Sequence, residues 1–351
     1  VVRGPYLQSM TTSGITIMWR SDIPADSIIQ FGTDPAALTS QASSGTVVTD
    51  HQVSIAGLLP NKTYYYAIAA TVNGATERIA GGATASFKTH PVSGGKLPVS
   101  FRIMGDGGTR KAFPVADGYR QYVGDPMPRD DNLILLADNA YHDGTDEEHQ
   151  LPIFEAMRHS LARTPVTSTF GNHEAISSEA ATETGPHFDI WEPPSFGQSG
   201  GFPSFSELYF SYDIGNVHVI CLSSEGIDRT PSGPMLTWLV ADLAFTNQDW
   251  TIAFWHNASY SRGSRDSDVD LKSIDMRTYA LPILEAAGVD VVLGGHSHTY
   301  ERSMLIDGHY GLSSTFVPSM AIDSGDGDPN SDGPYFKPTL GSAPNEGTVY
   351  V

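Results

Sequence analysis

The chain has 351 residues, with 20 Lys+Arg against 40 Asp+Glu and a formal net charge of −20. That field repels nucleic acid and anionic lipid, and no apolar run reaches the roughly 20 residues of a membrane helix, so neither a nucleic-acid polymer nor a bilayer is an expected partner. At 40% apolar residues the chain is globular and long enough for about two domains, and an anionic substrate would need positive charge gathered at its own site.

The chain opens on Val1-Val2-Arg3 rather than Met, as chains do once an export leader is removed, so a secreted or periplasmic location is expected. Residues 1–93 read as an all-β unit. Ile15–Arg20 and Ser27–Gly32 are short β-rich runs broken by Gly, Pro and Ser, and Leu58–Ile68 joins a turn at Pro60-Asn61 to the aromatic run Tyr64-Tyr65-Tyr66. That is how the tyrosine-corner strand of an immunoglobulin-like sandwich reads. His90–Gly95 has linker composition, and a second domain is expected over residues 96–351.

In that second part strands alternate with helical stretches. The strands expected are Pro98–Met104, Asn132–Ala137, Pro165–Thr169, Val217–Leu222, Trp250–Trp255 and Val289–Leu293. The helical stretches include Asp146–Ala162, Ser232–Ala244 and Ser273–Ala287, the last interrupted by Pro282. This rhythm belongs to an α/β domain with a parallel or mixed sheet under helices. Cys221, the only cysteine, sits in an apolar strand, so the chain has no intrachain disulfide or thiolate cluster and the thiol is expected in the core. The run Asp323–Gly333 looks like a calcium loop, but counting from Asp326 its twelfth position is Lys337, where a bidentate Glu is needed. A surface turn is the better reading, with a lid as the alternative.

Polar chemistry follows the strands. The segments are Gly105-Asp106-Gly107-Gly108, Asp138-Asn139-Ala140-Tyr141, Gly171-Asn172-His173-Glu174, His256-Asn257, and Gly294-Gly295-His296-Ser297-His298 with Thr299-Tyr300-Glu301-Arg302 after it. Alone, each has a plain reading: an Asp caps or turns, a lone His is a satisfied core side chain. Together, at successive strand ends, they are oxygen and nitrogen donors suited to iron, manganese or zinc. There are too many for one tetrahedral ion. They suit two cations sharing a bridging carboxylate, with positions left for water and substrate.

This ordered set resembles that of the purple acid phosphatases, within the calcineurin-like metallophosphoesterases, over nearly the whole chain. The N-terminal part is similar to that family's fibronectin type III-like domain, and the resemblance implies two packed mixed sheets flanked by helices for the rest. It implies Fe(3+) held by Asp106, Asp138, Tyr141 and His298, and a second divalent metal (Fe2+, Zn2+ or Mn2+) held by Asp138, Asn172, His256 and His296. Asp138 would bridge them, and a Tyr141 phenolate on ferric iron would give a visible charge-transfer colour. The activity implied is an acid phosphatase, hydrolysing small phosphate monoesters to inorganic phosphate with a metal-activated hydroxide at acidic pH. His173 would bind a phosphate oxygen or protonate the leaving alkoxide, a scaffold role being the alternative, and Glu174 would orient a neighbouring His.

The chain departs from the family pattern in three places. Ala137 stands where the family usually has Gly. Tyr260–Arg265 lacks the phosphate-binding histidines of the family's plant members, which leaves Arg262 as a candidate phosphate contact or a solvated surface residue. Gly347–Val351 looks like a core strand beyond which the family's domain continues, so the catalytic domain is expected to be incomplete at its C-terminus. The nearest alternative is a phosphodiesterase or nucleotide pyrophosphatase on the same scaffold, and a more distant one is a non-catalytic surface adhesion protein.

Overall fold

The computed structural model describes residues 1–124 and 129–351. Alternating β-branched, aromatic and polar residues form β1 (Arg3–Gln8), β2 (Ile15–Gly32), β3 (Ser40–Ile55), β4 (Thr63–Val72) and β5 (Ala75–Lys88). Two of these strands serve both layers of a sandwich. Ile15–Arg20 of β2 pairs with β1 and with Asp50–Ile55 of β3, and beyond an irregular stretch around Pro24 the Ser27–Phe31 segment pairs with Ser40–Ser44. Ile28–Gly32 also pairs with β4. Ile17, Trp19, Ile29, Tyr66, Ile68 and Phe87 fill the space between the layers. The Tyr64 hydroxyl accepts the Leu59 N–H at 3.0 Å, which is the corner the sequence predicts.

The second part holds two sheets. β6 (Phe101–Met104), β7 (Asn132–Leu135) and β8 (Val166–Ser168) are parallel. The other sheet comprises β9 (Phe210–Ile214), β10 (Val217–Cys221), β11 (Trp250–Asn257) and β12 (Val291–Gly295), with β9 antiparallel to β10 and the rest parallel. β13 (Leu305–Ile306) and β14 (Ala321–Asp323) pair with each other, and β15 (Val349–Tyr350) joins the far side of β12. Side chains alternate by twos. Ile134 and Leu136 meet Val219, Cys221 and Phe254 between the sheets, while Leu133 and Leu135 face outward to Ile153, Phe154 and Leu161. On the far face Ile220, Leu222 and Trp255 pack beneath Leu236, Leu239, Leu281 and Leu284. Cys221 is in the core, as expected. The sequence reading named neither β9 nor the helix Ala112–Val123.

Two expected helices are interrupted. Asp146–His149 opens on a Thr145/Glu148 capping box and runs into a π-helical turn, Gln150–Glu155, before Arg158–Leu161. Leu271–Asp275 likewise gives way to a π turn at Met276–Ala280, and Leu281–Ala286 resumes with Pro282 in its first turn. The first wider turn contains Pro152 and the second precedes Pro282, and a proline ring with no N–H cannot continue an α-helical ladder. In the Asp323–Gly333 run the carboxylates of Asp326 and Asp328 accept the N–H of the residue two places on, and Asp332 accepts that of Asp326, a set of surface turns.

The sandwich rests on the outer layer of the first sheet. Tyr6 packs on Phe154 and Trp191, the Tyr66 hydroxyl donates to the Ala162 carbonyl at 2.9 Å, and Asp146 takes Arg3 at 2.6 Å and Arg20 at 2.5 Å.

Candidate metal centre

The candidate donors converge where the carboxyl ends of β6, β7, β8, β11 and β12 meet. His256 does not follow its strand, as the sequence suggests, but lies within it. Trp255 pairs with Gly294 and Asn257 with Gly295, so His256 is the extra residue of a bulge. Asp106, Asp138, His296 and His298 all have φ between 47° and 68°. Left-handed backbone costs a non-glycine residue about 1–2 kcal/mol, and strain gathered this way marks a functional site.

Asp138 is at the middle. Its Oδ2 lies 3.3 Å from His256 Nε2 and 3.3 Å from the Tyr141 hydroxyl, while its Oδ1 accepts the His173 N–H at 3.1 Å. One donor atom each from Asp138, His256 and His296 fall within 4.8 Å of one another, and so do donors from Asp106, Asp138 and His298. Asn172 Oδ1 sits 3.0 Å from His256 Nε2. Tyr141 Oη sits 3.0 Å from His298 Nε2 and 3.3 Å from Asp106. All the sequence-predicted donors are therefore together, in two groups that share Asp138.

This donor set fits a pair of cations. Burial raises the pKa of Asp106, helped by the Asp138 charge, and burial with the same two carboxylates drives the Tyr141 phenol far above its ordinary value. Each of these groups would be relieved by positive charge beside it. The supporting bonds also suit ligation. His256 Nδ1 lies 2.8 Å from the Leu136 carbonyl, which directs Nε2 into the site. Both Asp106 oxygens accept the His296 N–H, at 3.1 and 2.9 Å.

A family model described as calcineurin-like phosphoesterase matches residues 114–300. The chain belongs to this family. A second model, for the N-terminal domain of purple acid phosphatases, matches residues 5–89. Purple acid phosphatase 15 of Arabidopsis thaliana is 26% identical over 323 residues, covering 79% of this chain and 57% of that protein. Purple acid phosphatase 21 of the same plant is 32% identical over 292 residues, covering 79% and 58%. The structure of the purple acid phosphatase PPD1 from yellow lupin seeds superposes with a TM-score of 0.63 at 18% identity, over 87% of this chain and 60% of that one, which shows a shared fold. The chain thus spans less than two thirds of the length of these relatives.

Not every family-derived expectation matches the side-chain contacts of this chain. Among the described residues Glu174 bonds to no histidine. Its fully buried carboxylate accepts the N–H of Asp138 at 3.0 Å and of Asn139 at 2.7 Å, so it holds the backbone of the central ligand loop, and burial raises its pKa to about 7. The Arg262 guanidinium is engaged by Asp266, by Asp268 at 3.1 Å and by Ser313 at 3.2 Å, none of them a donor of the centre. His173 is at the rim, its Nδ1 2.5 Å from the His142 carbonyl and its ring 4.4 Å from that of Tyr141.

Three residues that the sequence reading passed over belong to this site. Asp270 lies 3.2 Å from His296 Nε2. Arg110 and Lys111 line a cleft of about 900 Å³ whose other walls include Asp106, Tyr141, His173 and His298. Their signal was the pair of cations directly following Gly107-Gly108-Thr109, in the loop after the first ligand.

Proposed function

We propose that this chain is an acid phosphatase, hydrolysing small phosphate monoesters at two cations, Fe(3+) on the Tyr141 side and Fe2+, Zn2+ or Mn2+ on the Asn172 side. Asp138 carries the reading, because its one carboxylate is common to both donor groups. The ligands would be Asp106, Asp138, Tyr141 and His298 for the first ion, and Asp138, Asn172, His256 and His296 for the second. When bound, the cations supply the positive charge for phosphate oxygens and the acidity that makes a water nucleophilic.

The chain's own residues have the remaining work. Arg110 and Lys111 draw the anion into the cleft against a net charge of −20. With Nδ1–H directed to the His142 carbonyl, His173 in its protonated form carries a second N–H at Nε2, 3.8 Å from Asp138 Oδ2, to give to a phosphate oxygen or to pass as a proton to the leaving alkoxide. Glu174 and the bulge at His256 fix the ligands so that they need not reorganise during the reaction. An exported location, secreted or periplasmic, belongs to the same reading, since an oxidising compartment keeps iron ferric.

The test combines a visible spectrum, elemental analysis and turnover of a mono-aryl against a bis-aryl phosphate. Expected are two metals per chain, a charge-transfer band lost in Tyr141→Phe, preference for the monoester at acidic pH, and loss of both ions in Asp138→Ala. Faster turnover of the diester would make the protein a phosphodiesterase, and near-normal turnover by Asp138→Ala would sink the site assignment.

A further inference from the structure

A cavity of about 1220 Å³ lies away from the metal centre, in the seam between the sandwich and the catalytic domain. β1 and β5 give one wall, and the helices Ala112–Val123 and Arg158–Leu161 give the other. Arg120, Arg129, Arg158, His159 and Arg163 line it, and Asp117 is the one carboxylate among the described lining residues. Four of the chain's 20 Lys+Arg thus converge on one cavity in a strongly acidic protein.

Among the described residues these cations have few anionic partners. Arg120 has Asp117. Arg129 donates from Nη2 to the Ser86 hydroxyl at 2.7 Å, but its Nε and that of Arg163 are buried with no hydrogen-bond partner among the described residues. Burial, then Arg158, Arg120 and Arg163, hold the His159 imidazole below its ordinary pKa, and burial followed by Arg163 does the same to Arg129. Like charges held this close in a partly desolvated seam repel one another, and buried donors without acceptors are costly. An anion filling the cavity relieves both.

We propose that the seam cavity binds a polyvalent phosphate anion of the polyphosphate class, either a free inorganic chain or the phosphate chain of a nucleotide. Planar guanidinium forks match phosphate oxygens two at a time, and a polyphosphate presents several such pairs of oxygens along one short chain. The volume exceeds what a lone orthophosphate fills and is somewhat above the roughly 300–1,000 Å³ of ordinary ligand pockets, which leaves room for an extended anion. Because its walls come from both domains, a bound anion would tie the sandwich to the catalytic part and stabilise their junction.

The experiment titrates tripolyphosphate, ATP and orthophosphate by calorimetry at low salt into the full chain, freed of metal by chelation and dialysis. Metal-free protein makes the result independent of the hydrolytic reading. Tripolyphosphate should bind with one-to-one stoichiometry and raise Tm, and Arg158→Ala/Arg163→Ala should weaken it roughly tenfold or more. Arg158 is exposed, so Arg158→Gln alone, checked for folding by circular dichroism, gives a milder loss and keeps the test decisive if the double variant fails to fold. ATP binding no tighter than tripolyphosphate assigns recognition to the phosphate chain, and tighter ATP binding assigns a nucleotide. The proposal is overturned by absence of tripolyphosphate binding, by unchanged affinity in Arg158→Gln, or by tighter binding of a polyglutamate of matched charge, which would make the cavity a dock for acidic polypeptide.

Discussion

Asp270 braces the His296 ring: its Oδ2 lies 3.2 Å from the imidazole Nε2, while its Oδ1 accepts the N–H groups of Lys272 and Ser273 at the start of the next helix. The helix therefore fixes the carboxylate, and the carboxylate fixes the ring that shares a donor cluster with Asp138 and His256. Burial opposes the Asp270 charge, but His296 and the capped N–H groups outweigh it and hold the pKa well below the ordinary carboxylate value. Asp270→Asn keeps a capping oxygen and removes the charge. Affinity for the second ion should fall about 10–100-fold, read as metal retained after dialysis, while any Tyr141 charge-transfer band stays. If both ions were retained as in the wild type, Asp270 would be a helix cap and nothing more.

What was legible in the chain follows from chemistry that constrains local spacing. Asp106, Asp138, Asn172, His256, His296 and His298 each follow or end an apolar strand, and cation donors admit few residue types. Asp270 gave no such signal, because it comes from a loop and meets His296 only through the tertiary fold. Glu174 was legible as a supporting residue but not in its target, since the loop path decides whether a carboxylate meets an imidazole or backbone N–H groups. The length of β2 and β3 was hidden by the irregular pairing around Pro24. The π turns were hidden too, because apolar periodicity reports a buried face and not the number of residues in one turn.

Arg110 and Lys111 look from sequence like two solvated cations. Their place on the cleft wall gives them a distinct kinetic signature. Replacing both by Ala should raise KM for a phosphate monoester about tenfold with little change in kcat, and should flatten the dependence of kcat/KM on salt. Arg262→Ala should leave both constants near wild type, because its guanidinium is held by Asp266 and Asp268. The reverse pattern would return the phosphate contact to Arg262.

Ala137 and Gly171 flank Asp138 from different loops. Ala137 has a φ of 67°, a conformation that its Cβ disfavours. Ala137→Gly should therefore stabilise the fold by about 0.5–1 kcal/mol with the metal content unchanged. A Cβ on Gly171 would stand 2.5 Å from Asp138 Oδ1 and 2.6 Å from Glu174 Oε2. Gly171→Ala should accordingly push Asp138 out of place, costing about 1–3 kcal/mol in urea unfolding and most of the bound metal. Full metal occupancy in that variant would mean the loop moves aside without disturbing Asp138.

His218 supports the fold and has no part in the chemistry. Its buried ring lies between two carboxylates, Nδ1 2.8 Å from Asp213 and Nε2 2.9 Å from Asp242. Asp213 also accepts from Gln248 at 2.7 Å and from Ser93 at 2.9 Å, and Asp242 accepts the Phe202 N–H at 3.0 Å, so this network joins the linker to the second sheet. Burial alone would keep the imidazole neutral, but the two carboxylates prevail and raise its pKa from 6.5 to about 9. The folded chain thus holds a proton that the unfolded chain releases above pH 6.5. The stabilisation is complete below pH 6.5 and disappears as pH rises through about 9. Urea unfolding should register this as a loss on the order of 2–3 kcal/mol across that window. His218→Phe, which leaves two buried carboxylates facing an apolar ring, should cost about 3–5 kcal/mol at the lower pH and should show a flatter decline towards the higher one. Parallel declines in wild type and variant would move the pH sensitivity to another group.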